Sequence, residues 1–180
     1  GMVVMSPADA VEAKAMVKAA YEHQGPVYMR FGRSPVPVFH DEDSFAFEIG
    51  RGEVMRDGGD IAIIANGLLV AEAVEAGELL AQRGLSARII NMATIKPLDE
   101  ELVLQAAAEC GKIITCEEHS VIGGLGEAVC SLLGEKRPTP VKRIGVNDVF
   151  GHSGPAAALL EQFGLCAANI ASVAEQFARS

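Results

Sequence analysis

Three stretches of this chain carry residue types that do chemistry. The first is Arg30-Phe31-Gly32-Arg33, followed by Ser34 and Pro35. Arg33 falls in a loop directly after an apolar run, where its guanidinium would be exposed at a strand end, and a planar fork of N–H donors suits phosphate oxygens bidentately. The plainer alternative is an arginine in a solvated loop. Arg30 reads as structural, paired with a carboxylate. The second stretch is Glu117-Glu118-His119 followed by Gly123-Gly124-Leu125-Gly126. Gly123, Gly124 and Gly126 would form a strand-to-helix turn whose free N–H groups suit phosphate, with the carboxylates and His119 as acid or base groups. Yet the spacing is not G-x-G-x-x-G, and no basic residue lies in the turn. Tight packing at a domain or subunit contact is the favoured reading. The third stretch is Phe150-Gly151-His152-Ser153-Gly154. Adjacent Ser153 and His152 do not face each other as nucleophile and base, so the segment reads as a turn entering a helix.

The histidines do not cluster, so no metal site is expected. Cys110, Cys116, Cys130 and Cys166 contain no C-x-x-C pair and read as small buried thiols of a reducing cytoplasm. A net charge of −9 with no basic stripe argues against nucleic acid as a partner. No apolar run is longer than Ile61 to Ala65, which is far too short to cross a membrane, and the N-terminus lacks the pattern of a signal peptide. Gly1 ahead of Met2 reads as a remnant of tag removal, and the chain as part of something longer.

The elements that must position these residues alternate. Val3-Val4-Met5 reads as a short strand. A helix follows, with Ser6 as its cap, Pro7 in its first turn and Asp9 completing the capping pattern. Val27 to Phe31 is the next strand, and Pro35 to Phe39 an extended crossing. The composition shifts near Asp41 to Ser44, which divides residues 1–44 from residues 45–180. Strands are then expected at Glu53–Arg56 on an edge, Ile61–Ala65, Ala87–Met92, Ile113–Cys116 and Val141–Val146. Helices are expected at Leu68–Arg83, from Asp99 to Cys110 with Gly111 as the stop, at Gly124–Leu133, and over 155–163 and 169–178. Continuous apolar strands alternating with helices predict an α/β domain with a mostly parallel sheet covered on both faces, after a short βαβ piece.

Five segments, in order and spacing, resemble transketolase. They are Gly25 to Arg33, Asp60 to Gly67, Ile95 to Asp99, Cys116 to His119 with Gly123 to Gly126, and Phe150 to Gly154. Deoxyxylulose-phosphate synthase and the beta chains of two-oxoacid dehydrogenases share most of the layout. The loop ending at Arg33 lacks the Tyr-Pro of the synthase pattern, and Phe150-Gly151-x-Ser153-Gly154 also favours transketolase. The resemblance implies the end of a pyrimidine-binding domain plus a complete C-terminal domain, a three-layer α/β/α unit with about five mostly parallel strands, one of them antiparallel at the edge, close to the split type whose C-terminal half is a separate chain.

It further implies a parent enzyme that transfers two-carbon ketol units between sugar phosphates, using thiamine diphosphate and Mg²⁺. Arg33 matches the arginine that holds the substrate phosphate. The residues that activate the cofactor lie upstream of anything present here, so this chain alone is expected to bind no cofactor and to be inactive. An N-terminal half or subunit is implied as partner, with a homodimeric, cytoplasmic enzyme of the pentose phosphate pathway as the whole. A non-catalytic regulatory ligand-binding module is the competing reading. The last helix departs from the family pattern Gly-Leu-Thr-Ala-Glu-Asn-Ile: with Cys166 and Ala168 in place of threonine and glutamate, its first N–H groups are expected to be left to water, with Asn169 capping a shorter helix.

Overall fold

A computed structural model describes residues 1–180. The elements, in chain order, are β1 (Val3–Met5), α1 (Ala10–Glu22), β2 (Val27–Met29), β3 (Glu53–Arg56), β4 (Ile61–Ala65), α2 (Leu69–Gln82), β5 (Ala87–Asn91) and β6 (Thr94–Lys96). They continue with α3 (Glu100–Cys110), β7 (Ile113–Ser120), α4 (Leu125–Lys136), β8 (Val141–Val146), α5 (Ala156–Gln162) and α6 (Ala167–Ala178).

The main sheet has strand order β3-β5-β4-β7-β8. Only the edge strand β3 runs antiparallel. This is the expected sheet, and its sequence shows why it is covered on both faces. Along β4, Ile61, Ile63 and Ala65 pack with Leu69, Val70 and Ala73 of α2 and Ile170 and Ala174 of α6. The alternate residues Ala62 and Ile64 pack with Val103 and Ala106 of α3 and Leu125 and Val129 of α4. Period-two alternation therefore sends consecutive apolar residues into two separate cores, and three layers result.

The leading piece is a second, three-stranded sheet, β2-β1-β6, with α1 against it through Met16. β1 and β2 are parallel, as the βαβ reading requires. β6 was not expected: residues Thr94–Lys96 leave the main sheet and pair antiparallel with β1. The small sheet thus draws a strand from beyond residue 45. Hydrogen bonds from Ser6 N–H to Ala93 O and from Met92 N–H to Ala65 O, each 2.8 Å, hold it at the carboxyl end of the main sheet. At that junction Gly67, with φ +58°, lies so close to Ser6 Oγ that a Cβ there would sit 2.8 Å from it.

Several local expectations change. Asp9, not Ser6, caps α1, because its carboxylate accepts the Glu12 N–H. Asp99 caps α3 as expected, and Gly111, with φ +70°, ends it in the left-handed region. β7 runs four residues further than Cys116, where Ser120 pairs with Val146. α6 starts at Ala167 rather than 169, and its first N–H is not left to water: Ala167 N–H donates to Glu72 of α2 at 2.7 Å. The apolar stretch Ala156–Ala178 is broken at Gly164 into helices of 7 and 12 residues. Each falls short of the roughly 20 residues a membrane-crossing helix needs. All four cysteines are free thiols, and burial pushes the Cys116 thiol far up.

Candidate functional site

The loop after β2 is fixed by its first arginine. Arg30 N–H donates to Met5 O at 2.9 Å, and Arg30 Nη1 donates to Glu118 O at 2.6 Å. Arg30 is structural, but its partner is a backbone carbonyl on β7 and not a carboxylate. This bond ties the small sheet to the end of a main-sheet strand, and it sets the direction of the loop that follows. Three residues on, Arg33 is exposed and its guanidinium makes no hydrogen bond or ion pair within the chain. It lines a cavity of about 380 Å³ together with Glu118, His152, Leu160, Phe163 and Leu165. The His152 ring leans on Phe163, with centroids 5.7 Å apart. Three motifs distant in sequence thus meet at one opening: the loop after β2, the end of β7 and the turn before α5. That Glu118 and His152 join Arg33 had no signal in the spacing, because the meeting is made by the docking of the two sheets.

The glycine-rich turn lies outside that cavity, and its helix N-terminus is already filled. Glu117, 1 % exposed, turns its carboxylate onto α4 and accepts the Leu125 N–H at Oε2 and the Gly126 N–H at Oε1, both at 2.8 Å. Gly123 N–H donates to Glu127 at 2.5 Å. A Cβ at Gly124 would overlap the Glu117 carboxylate, and one at Gly126 would sit 2.7 Å from Thr115 Oγ1. The glycines admit the chain's own carboxylate to the positive end of the helix dipole, where an external phosphate would find both its donors taken and a negative charge in place.

A polar cluster that sequence reading missed lies between α1, the linker and the main sheet. Asp9 accepts N–H groups from Glu12 at 2.9 Å, from Phe39 at 3.0 Å and from His40 at 2.9 Å. Burial raises its pKa, yet these N–H groups outweigh burial and hold it below the usual carboxylate range. Glu12, 2 % exposed, accepts the Ala8 N–H at 2.6 Å and the Asn91 amide at 2.9 Å. Here burial wins and pushes the carboxyl up to about 7. His40 Nε2 lies 2.8 Å from Glu53, and Nδ1 lies 3.0 Å from Asp9 but off the direction of a hydrogen bond, an ion-pair distance only. Burial disfavours the charged ring, but Asp9 and Glu53 together raise the His40 pKa. The signal was a D-x-x-E spacing at Asp9 and Glu12, which went unread because the cap was placed at Ser6 with Asp9 as its partner.

The family described as "Transketolase, C-terminal domain" matches residues 50–170, the span from just before β3 into α6. The chain belongs to this family. It is 43% identical over 176 residues to the 6-deoxy-6-sulfo-D-fructose transketolase subunit of Clostridium sp. (strain MSTE9), covering 98% of this chain and 54% of the relative. It is also 41% identical over 179 residues to 1-deoxy-D-xylulose-5-phosphate synthase of Heliobacterium modesticaldum, covering 98% of this chain and 28% of that protein. A solved structure titled "Split gene transketolase, inactive beta4 tetramer" superposes with a TM-score of 0.93 at 48% identity, covering 97% of this chain and 57% of that one. The chain spans about half the length of the transketolase-subunit relative it matches. The transketolase C-terminal fold is thus the observed α/β/α architecture.

Proposed function

We propose that this chain is the C-terminal portion of a two-part transketolase that moves two-carbon ketol units between sugar phosphates, and that Arg33 holds the substrate phosphate. The observation that carries this reading is Arg33 itself, an unpaired guanidinium at a cavity mouth beside His152 and Glu118. A bidentate grip on a phosphate needs a fork not already spent on a carboxylate. Incompleteness is supported by coverage of only 54% of a subunit relative.

The family implies thiamine diphosphate and Mg²⁺ in the whole enzyme, where the cofactor carries the carbon chemistry. The residues present do not fit that group. No three His, Cys, Asp or Glu side chains gather to hold a metal ion, and the glycine-rich helix start is filled by Glu117. The chain's part is therefore to bind and orient substrate and to meet the N-terminal half, with Gly123, Gly124 and Gly126 shaping a packed turn at a contact. A homodimeric, cytoplasmic assembly serving pentose phosphate metabolism belongs to the same proposal.

The test places Arg33→Ala in the complete enzyme, with all of the upstream sequence that this chain lacks, and compares it with the unaltered enzyme. Loss of a charged hydrogen-bond pair costs about 1.5–3 kcal/mol, so kcat/KM for glyceraldehyde phosphate should fall roughly ten- to hundred-fold, with glyceraldehyde little affected. Equal losses for both substrates would remove the phosphate role. The 41% identity to the synthase gives a second reading for the parent: formation of 1-deoxy-D-xylulose 5-phosphate, and no ketol transfer between sugar phosphates, would select it.

A further inference from the structure

A cavity of about 610 Å³ lies between the linker, β3 and the Glu12 end of α1, and it shares no lining residue with the Arg33 cavity. Its size suits a small organic molecule, for which sites run to about 300–1,000 Å³. Glu12 and Asn91 line its floor. Asn91 is 1 % exposed, and while its Nδ2 donates to Glu12, its Oδ1 has no hydrogen-bond partner. A buried acceptor without a donor costs free energy, so the floor lacks one donor. The rim adds further acceptors in Asp41, Glu48 and Glu53. The one arginine of the lining, Arg51, is already engaged by Glu48, Asp99 and Glu101. His40 is held between Asp9 and Glu53. The walls carry Phe39, Phe45 and Phe47, and aromatic faces attract cations.

An anionic rim, an unanswered buried acceptor and aromatic walls select a ligand that is positively charged and rich in N–H. We propose that this cavity binds a small organic molecule through a primary ammonium group, received by Glu12 and Asn91 on the floor and by Glu53 at the rim. The same lining repels phosphates, so this site is separate from the one proposed for the sugar phosphate.

Calorimetry on the 180-residue chain tests it, with putrescine, n-butylammonium, tetramethylammonium and inorganic phosphate as probes. Putrescine and n-butylammonium should bind saturably. Tetramethylammonium, which has the charge without N–H donors, should bind about tenfold more weakly or worse, and phosphate not at all. Tighter binding of putrescine would mark a free diamine, and equal affinities a single ammonium such as a lysine end; either supports the site. Glu12→Gln, with folding checked by urea melt, should lower affinity about tenfold or more. Should that variant not fold, Glu53→Gln on the exposed rim serves, with a loss of roughly threefold or more expected. Absence of saturable heat with both amines, tetramethylammonium binding as well as butylammonium, or unchanged affinity in the folded variant overturns the proposal.

Discussion

Glu117 decides what the glycine-rich turn is for. A carboxylate that is buried in a strand end is stable only if its charge is met, and here two N–H groups at the start of α4 meet it. The glycines are the steric condition, since a side chain at Gly124 would enter the carboxylate's space. Glu117→Gln leaves one of the two N–H groups facing an amide NH₂ in place of a carboxylate oxygen. It should destabilise the chain by about 1.5–3 kcal/mol, while Gly124→Ala should cost about 1–3 kcal/mol through overlap. Urea midpoints of both variants check this, and unchanged midpoints would mean that α4 is held by packing alone.

At the scale of elements, α6 shows a cap supplied from outside the local sequence. Cys166 holds the N-cap position with extended backbone and makes no side-chain hydrogen bond. Glu72 reaches across from α2 to take the Ala167 N–H, and Asn169 turns its amide back to Gly164 O at 2.8 Å. Glu72→Ala should therefore lower stability by about 0.5–2 kcal/mol, the usual value of a cap, and loosen the contact between α2 and α6. Cys166→Thr supplies a local acceptor and should recover part of that loss in the Glu72→Ala background, read in reversible urea melts. Ala168 is the second helical residue, one short of the position from which a glutamate closes a capping box, so Ala168→Glu should add only the dipole contribution of about 0.3–1 kcal/mol.

For the whole molecule, the cluster joining α1, the linker and the main sheet makes stability depend on pH. Glu12 has a folded pKa of about 7 against 4.5 when unperturbed. Below 4.5 both states hold the proton; above it only the folded chain does, so stability falls as pH rises toward 7. The full window is worth about 3 kcal/mol at most. His40, raised above 6.5, contributes stability that is fully present below 6.5 and is lost as pH rises through its folded value. Asp9, lowered below 3.8, acts only in acid, losing its contribution as pH falls through its folded value. The urea midpoint should thus decline as pH rises from about 5 through 7 and on through the folded value of His40, and Glu12→Gln should remove the lower part of that slope while leaving the part due to His40. A flat profile in the unaltered chain would contradict a buried Glu12 carboxyl.

Composition and periodicity by themselves determined the layered architecture and the stop at Gly111, because these rest on local rules: apolar runs of strand length, helical spacing, and a residue free to take a left-handed conformation. The motif order determined the family, and with it the antiparallel edge strand. The tertiary structure alone decided what polar side chains do. Arg30 found a carbonyl on β7, Glu117 found the start of α4, and Glu72 found α6. It also took Thr94–Lys96 into the other sheet, gathered Arg33, Glu118 and His152 at one opening, and buried Glu12 against Asn91. Each of these depends on how the two sheets dock. A hydrogen bond or a shifted pKa is set by partners tens of residues away, and neither periodicity nor spacing records where those partners come to rest.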